Sequence, residues 1–220
     1  NDALLSNADV SGIFSGDGAA LFDIYNRYVQ ANYLNVPDGL PSLEAAVQVI
    51  QDENGDLSVS QWVAQIQNIL WETCTYQKDN LEPVPDGSNV IEDFFGRQRK
   101  GYCTHFASAG VMMLRMAGIP ARYVTGYVIW PDDFKADSAS DGYMADVTGY
   151  RGHAWVEVYN ASQGIWVPVD MTPVDSVQTS NYLPTQENSG HSESTDNVSN
   201  HYIDSTETIS DTGDTGNYTE

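Results

Sequence analysis

Two short segments, HAWVEVY (153–159) and GIWVPVD (164–170), alternate apolar and polar residues along their whole length. A period of two is the mark of strands buried on one face. Ala154, Val156 and Val158 make the apolar row of the first segment, and Ile165, Val167 and Val169 that of the second. With Asn160-Ala161-Ser162-Gln163 as a four-residue hairpin loop, Val158 faces Ile165, Val156 faces Val167 and Ala154 faces Val169. On the other face Tyr159 pairs with Gly164, Glu157 with Trp166, Trp155 with Pro168 and His153 with Asp170. A slip of one residue would set valines against polar groups and scramble both faces. The pattern therefore predicts His153 directly opposite Asp170, with Cβ atoms roughly 5 Å apart. Pro168 cannot donate to a ladder, which implies a sheet edge or a bulge nearby.

The partner for that hairpin comes earlier, in GYCTHFASAGVMMLRMAGIPARYVTGYV (101–128). A helix is expected from Tyr102 or Cys103 and ends at Gly118-Ile119-Pro120. The glycine suits the left-handed position after a helix, and proline cannot continue one. ARYVTGYVIW (121–130) then reads as a strand. Ala107, Ser108, Ala109 and Gly110 are small enough to let the helix approach the sheet closely. Residues 131–152 form a polar connection without periodicity, and connections of that length are usually functional or mobile.

Further upstream, residues 19–34 space Leu21, Ile24, Tyr25, Tyr28 and Val29 as a helix would. A turn at Pro37, Gly39 and Pro41 precedes a helix capped by Ser42 and running to Ile50. QDENGDLS (51–58) reads as a polar turn; a calcium loop counted back from Gly55 would put Ile50 at the first ligand position. Ser58 or Ser60 caps an amphipathic helix to Cys74, with Trp62, Ile66, Ile69 and Leu70 on one side. The expected organisation is an N-terminal helical region over 1–69, a core over 70–183 and an acidic Ser/Thr-rich tail over 184–220. The helices either pack on the core or form in part a separate small subdomain.

Charge narrows the partners. The formal net charge is -22, from 31 acidic and 9 basic residues. Only 8 of those acids lie beyond Pro184, so the region before it is itself strongly acidic. Nucleic acid and anionic membrane surfaces need clustered Lys and Arg, and neither is expected as a partner. No apolar run reaches the roughly 18 residues that span a bilayer. The chain starts at Asn1 with no signal sequence and reads as a mature or excised segment. An acidic, lysine-poor, cysteine-poor composition fits an extracellular or cell-surface bacterial protein, anchored by segments outside this chain.

Cys74 and Cys103 are too few for a disulfide framework. Cys74 reads as a small buried apolar residue. Cys103 opens a helix, where the partial positive charge of the N-terminus favours a thiolate. A cysteine beside Phe106 and Ala107 is ordinarily core, and a histidine before a strand is ordinarily surface. Joined to Asp170 in register they make a nucleophile, its base and the group that orients the base. The backbone N–H of Cys103 is then a natural oxyanion donor. A zinc site from Cys103, His105 and His153 has no CxxC or HxxxH spacing behind it.

The run from Gly101 to Val128, the His153-Ala154-Trp155 triplet and the W-x-x-x-D-x-T-P stretch from Trp166 to Pro173 resemble, in order and spacing, the transglutaminase-like superfamily. The resemblance covers roughly residues 70–173. It implies an α+β, papain-like transglutaminase core, with a catalytic helix packed on an antiparallel sheet. It implies that Cys103 is the nucleophile, His153 the base and Asp170 its orienter. The family's second oxyanion donor, an aromatic or amide side chain before the cysteine, falls on Trp71, Tyr76 or Gln77, with Tyr76 preferred. Trp155 is expected to wall the cleft. The implied chemistry is acyl transfer from a glutamine or other amide of a protein or peptide, with lysine or water as acceptor and neither metal nor cofactor. The alternative is a catalytically silent adhesion or scaffold module of a larger surface protein.

Overall fold

A computed structural model describes residues 17–173. The expected tail at 184–220 and most of the leading arm lie outside the described residues. The elements follow in the order α1 (Asp17–Asn32), α2 (Pro41–Asn54), α3 (Val59–Thr73), β1 (Thr75–Tyr76), α4 (Val90–Glu92), β2 (Lys100–Gly101), α5 (Cys103–Met116), β3 (Ala121–Tyr127), β4 (Lys135–Ala136), β5 (Tyr143–Met144), β6 (Gly152–Asn160) and β7 (Ile165–Val169). A π-helical turn, Asp93–Gln98, joins α4 to β2. The fold is α+β, with helices packed on an antiparallel sheet of order β3-β6-β7.

α5 is the centre of the core. Phe106, Ala107, Ala109, Val111, Met113 and Leu114 are all buried, and α5 packs against α2 and α3 as well as β3 and β6. Small residues permit this two-sided burial. A Cβ on Gly110 would stand 2.5 Å from Cγ of Met171, closer than carbon atoms approach. The helix stops where the sequence says it should. Gly118 adopts φ 77°, and the N–H groups of Gly118 and Ile119 return to the carbonyls of Arg115 and Leu114, closing a Schellman motif.

Several expected boundaries move. α2 starts at Pro41, whose fixed φ suits the first helical turn, so Ser42 is not its cap. The Ser42 N–H is instead taken by the Glu92 carboxylate at 3.1 Å. α2 also continues to Asn54, into what reads as the polar turn, because Gln51 to Asn54 are competent helix surface and the stop comes at Gly55. Ser58 caps α3 as expected, with Gln61 closing a reciprocal capping box. The 131–152 connection holds the two-residue pair β4–β5 and an ion pair between Arg151 and Asp133.

The larger correction is in the hairpin register. Val156 pairs with Val169, Val158 with Val167 and Asn160 with Ile165, a shift of two residues from the expected pairing. The loop is Ala161 to Gly164 rather than Asn160 to Gln163. Asn160 dictates this: its side-chain oxygen accepts from the N–H groups of Ser162 and Gln163, and its carbonyl from Gly164 at 2.8 Å. Gly164 supplies the left-handed residue, φ 66°, that such a loop needs before the second strand. A two-residue shift keeps every side chain on its face, so the apolar pattern cannot detect it. It does change the membership of the core, since Met171 is fully buried while Ile165 stays 37% exposed. Pro168 lies on β7, an edge strand.

α1 covers the hairpin end of the other sheet face. Tyr25 Oη accepts from Trp166 Nε1 at 2.7 Å, and Tyr159 Oη donates to Asn26 at the same distance. Arg122 lies 4.3 Å over the Trp166 ring while pairing with Glu157.

Candidate active site

Cys103 is the first residue of α5, 9% exposed, and His153 is the second of β6. β6 pairs Gly126 with His153 and Thr125 with Ala154, bringing the start of the strand to the N-terminus of α5. There the Cys103 sulfur meets the His153 ring and the backbone N–H groups of Ala154 and Thr104. His153 Nε2 lies 2.7 Å from Asp170 Oδ2, which leaves Nδ1 as the ring nitrogen for the thiol. One imidazole is thus shared between a sulfur and a carboxylate.

Asp170 reaches His153 by another geometry than the expected one. With the hairpin shifted by two, Asp170 lies diagonal to His153 and one residue beyond the end of β7. Diagonal neighbours are roughly 7–8 Å apart at the backbone, within reach of two extended polar side chains. Outside the strand its carboxylate is free to turn, and it is fixed locally. The Thr172 N–H donates to Oδ1 at 2.9 Å, an Asx turn that leaves Oδ2 for the imidazole. Helix α3 holds the same segment from behind: Gln67 Nε2 donates to the Asp170 carbonyl and Trp71 Nε1 to the Met171 carbonyl, each at 2.8 Å.

Electrostatics separate the two cysteines. Burial drives the Cys74 thiol up to about 12, with the charge of Arg99 opposing it only in part. Cys103 suffers the same penalty, and burial is its largest single influence. Yet the hydrogen bond and charge of His153, with the N–H groups of Ala154 and Thr104, carry its thiol below the ordinary value. For His153, burial lowers basicity, but the hydrogen bonds to Asp170 and Cys103 outweigh it and raise the imidazole to about 9. The thiolate–imidazolium pair is the form both shifts favour.

The sulfur opens on a cleft of about 680 Å³ lined by Lys78, Tyr102, Thr104, Thr125, Tyr127 and His153, with glycines between them. Among the described residues none with a carboxylate lines it. The other expected site residues lie around this centre. Trp155 stacks beside His153, ring centroids 6.4 Å apart, and its indole crosses over Gly126. Tyr76 pairs through β1 with Gly101 and stacks its ring on Phe106, 6.3 Å away. The Trp71 N–H is already engaged by Met171, and the Gln77 amide by the Asp79 carbonyl at 2.6 Å, so neither reaches the cleft as a free donor. His105 accepts from the Tyr102 N–H through Nδ1 and stacks edge-on with Tyr102, serving the start of the helix. Among the described residues no three His, Cys, Asp or Glu are grouped to hold a metal ion.

The hold of Gln67 and Trp71 on the Asp170 segment escapes sequence reasoning, which names Trp71 only as a candidate oxyanion donor, because their partners are carbonyls a hundred residues away. The available signal is two donors four residues apart beside the apolar stripe of α3. Thr172 gives a prediction of opposite sign to most substitutions. Its hydroxyl is buried and has no hydrogen-bond partner among the described residues. Thr172→Val keeps the N–H to Asp170 and removes that unmet polar atom, so stability should stay level or rise by about 1 kcal/mol. Thermal unfolding of the variant measures it, and a fall of several degrees would show that the hydroxyl has an essential partner.

Comparison with known proteins gives the family of the chain. A model of the transglutaminase-like superfamily matches residues 44–171, more than half of the chain. A protein-glutamine gamma-glutamyltransferase of Pseudomonas aeruginosa is 38% identical over 92 residues, covering 42% of this chain and 13% of that protein. The uncharacterized protein YebA of Bacillus subtilis is 33% identical over 143 residues, 64% of this chain and 19% of its own length. The crystal structure of the periplasmic domain of TgpA from Pseudomonas aeruginosa bound to ethylmercury superposes with a TM-score of 0.51 at 30% identity, covering 66% of this chain and 49% of that one. A second crystal structure of that periplasmic domain superposes with a TM-score of 0.52 at 28% identity, covering 66% of this chain and 47% of that one. The chain thus spans less than a fifth of the two curated relatives and about half of the TgpA domain. With its family model, core helix and sheet all in agreement, this chain belongs to the transglutaminase-like superfamily.

Proposed function

We propose that the chain is a thiol-dependent acyltransferase acting on amide bonds of protein or peptide substrates, with Cys103 as nucleophile, His153 as general base and acid, and Asp170 as orienting carboxylate. The observation that carries this reading is the His153 ring, shared between Asp170 and the Cys103 thiol at the floor of an open cleft. The Cys103 thiolate attacks the carbonyl carbon of the donor amide, and the N–H of Cys103 itself, at the start of α5, is the donor for the oxyanion that forms. The C–N bond breaks as His153 gives its proton to the departing nitrogen, leaving a thioester on Cys103. His153, now neutral, takes a proton from the incoming acceptor as that acceptor attacks the thioester and frees the thiolate. A glutamine donor releases ammonia; a lysine amine then yields an isopeptide bond and water yields a carboxylate. The relative named as a protein-glutamine gamma-glutamyltransferase supports glutamine as donor. The periplasmic TgpA domains support a site of action outside the cytoplasm. Among the described residues no helix is long and apolar enough to cross a membrane.

The test is incorporation of a fluorescent primary alkylamine into a glutamine-containing polypeptide, with ammonia release followed in parallel. Both signals, absent in Cys103→Ala, are expected. Ammonia without incorporation identifies water as the acceptor, and neither signal with a range of amide donors would overturn the reading.

The pH profile has a predictable shape. The reactive form needs a thiolate and an imidazolium together. The thiolate fraction grows as pH rises through the lowered Cys103 value, and the imidazolium is lost as pH passes about 9. Therefore kcat/KM should rise with pH up to the lowered Cys103 value, level off above it, and fall above about 9, close to tenfold per unit. Asp170→Asn should move that descending limb toward neutral pH, because the charge that holds the proton on His153 is gone.

A further inference from the structure

We propose that Gln67 and Trp71 are positioning residues for the reaction, holding Asp170 against His153 through the backbone of the segment that follows β7. This rests on the assignment of Cys103, His153 and Asp170 above, and extends it to a helix with no part in the cleft.

β7 ends at Val169, so no ladder hydrogen bond fixes the residue that must orient the imidazole. A carboxylate one residue beyond an edge strand sweeps a wide arc unless its peptide is held. The segment 170–172 is held at three points. Gln67 Nε2 takes the carbonyl of Asp170, Trp71 Nε1 the carbonyl of Met171, and the Thr172 N–H the Asp170 carboxylate itself. Gln67 and Trp71 lie four residues apart, one turn along α3, so their two donors meet two successive carbonyls. The clamp therefore has a rigid base, for Trp62, Val63, Ile66 and Leu70 seat α3 in the core. Met171, fully buried against Gly110 of α5, pins the segment from the other side. Helix α3 thus presses Asp170 onto the hairpin while α5 presents Cys103 to the same imidazole. Catalytic geometry is sensitive at this scale, since misplacement of about 1 Å can cost a hundredfold.

Bulk packing alone would not need this arrangement. A buried methionine and an apolar helix face would dock the segment without two donors matched to two consecutive carbonyls. The charged and titratable groups facing His153 are Cys103 on α5 and Asp170 itself, and Lys78, Tyr102 and Tyr127 line the same cleft. Neither Cys103 nor Lys78 is touched by changes at Gln67 or Trp71, which reach the site only through the Asp170 and Met171 carbonyls, so a response of the imidazole reports displacement of Asp170.

The experiment is titration of the His153 ring by NMR in the unliganded protein, comparing wild type with Gln67→Met, Trp71→Phe and the pair. Both replacements keep volume and remove the donor. Asp170→Asn sets the full effect of losing the carboxylate charge. The imidazole of wild type should titrate near 9. Each single variant should lower its proton affinity by about threefold to tenfold, and the pair by more, with kcat reduced and KM unchanged. An imidazole that titrates as in wild type in both single variants, whatever happens to thermal stability, would overturn the proposal and leave the two bonds structural. Gln67 is only half buried, so Gln67→Met decides the question if Trp71→Phe fails to fold. The readout needs no substrate. A protein inactive on every amide donor yet responsive at His153 would reject the reaction and keep the clamp.

Discussion

Replacing His153 with alanine should do more than remove a base: it should leave Cys103 less acidic than a free cysteine. Burial is the largest single influence on the Cys103 thiol and acts to raise it, and His153 provides the main opposition. With the imidazole gone, the N–H groups of Ala154 and Thr104 remain as the opposing hydrogen bonds. Cys74 shows where a buried thiol in this core goes even with the charge of Arg99 opposing burial, up to about 12. The pH profile of iodoacetamide alkylation should therefore move from below the ordinary cysteine range to above it. Cys74 is buried and protonated across the accessible range, so the reaction reports Cys103 alone. Acyl transfer should fall at least a thousandfold, because nucleophile activation and proton delivery to the leaving nitrogen are lost together. A His153→Ala thiol that alkylates with the wild-type profile would remove the basis for an activated pair. A thiol that returned only to the free-cysteine value would mean that the pocket is wetter than its burial implies.

Legibility in the sequence divides along physical lines. Alternation in HAWVEVY and GIWVPVD reveals which residues share a face, because burial is read by the side chains themselves. It therefore brings His153 and Asp170 to the same side of a hairpin. It cannot set how far the strands slide by steps of two, since every such step preserves the faces. The choice was made by Asn160, whose side chain folds the loop, and by Met171, whose burial outweighs that of Ile165. The start of α5 at Cys103 and its end at Gly118 were both legible, since N-terminal dipole chemistry and left-handed glycine are local effects. The π-helical turn over Asp93–Gln98 was not. It depends on the buried carboxylate of Asp93 gathering Arg97 and Gln98, which also bind Glu82 from outside the turn, an arrangement without a periodic signature. For the same reason Gln67 and Trp71 look ordinary along α3, where their meaning depends on which carbonyls stand opposite.

The small residues of α5 carry a second large expectation, because they set how closely nucleophile and base can approach. Gly110→Val should destabilise the protein by roughly 3 kcal/mol, the upper part of the range for overfilling a packed core. The cause is specific: the first added carbon already falls 2.5 Å from Cγ and 3.2 Å from Sδ of Met171. Methionine is flexible, but Met171 is fully buried, and its carbonyl is tied to Trp71. It can yield only by moving the segment that bears Asp170 or by pushing α5 off the sheet. Either motion separates the three side chains on which the proposed reaction depends, so activity should fall more than the loss of folded protein explains. Gly110→Ala should sit between, since a helix gains about 1 kcal/mol in propensity when glycine becomes alanine and offsets part of the clash. For a chain of this size a 3 kcal/mol loss lowers the melting temperature by roughly 6–12 °C. Calorimetry on Gly110→Val, Met171→Ala and the double variant separates contact from general disruption. If the two side chains compete for the same space, trimming Met171 should recover much of what valine costs, a strongly non-additive cycle. Additive losses would mean that Gly110 is constrained by something other than Met171, and the tight seat of α5 on the Asp170 segment would have to be abandoned.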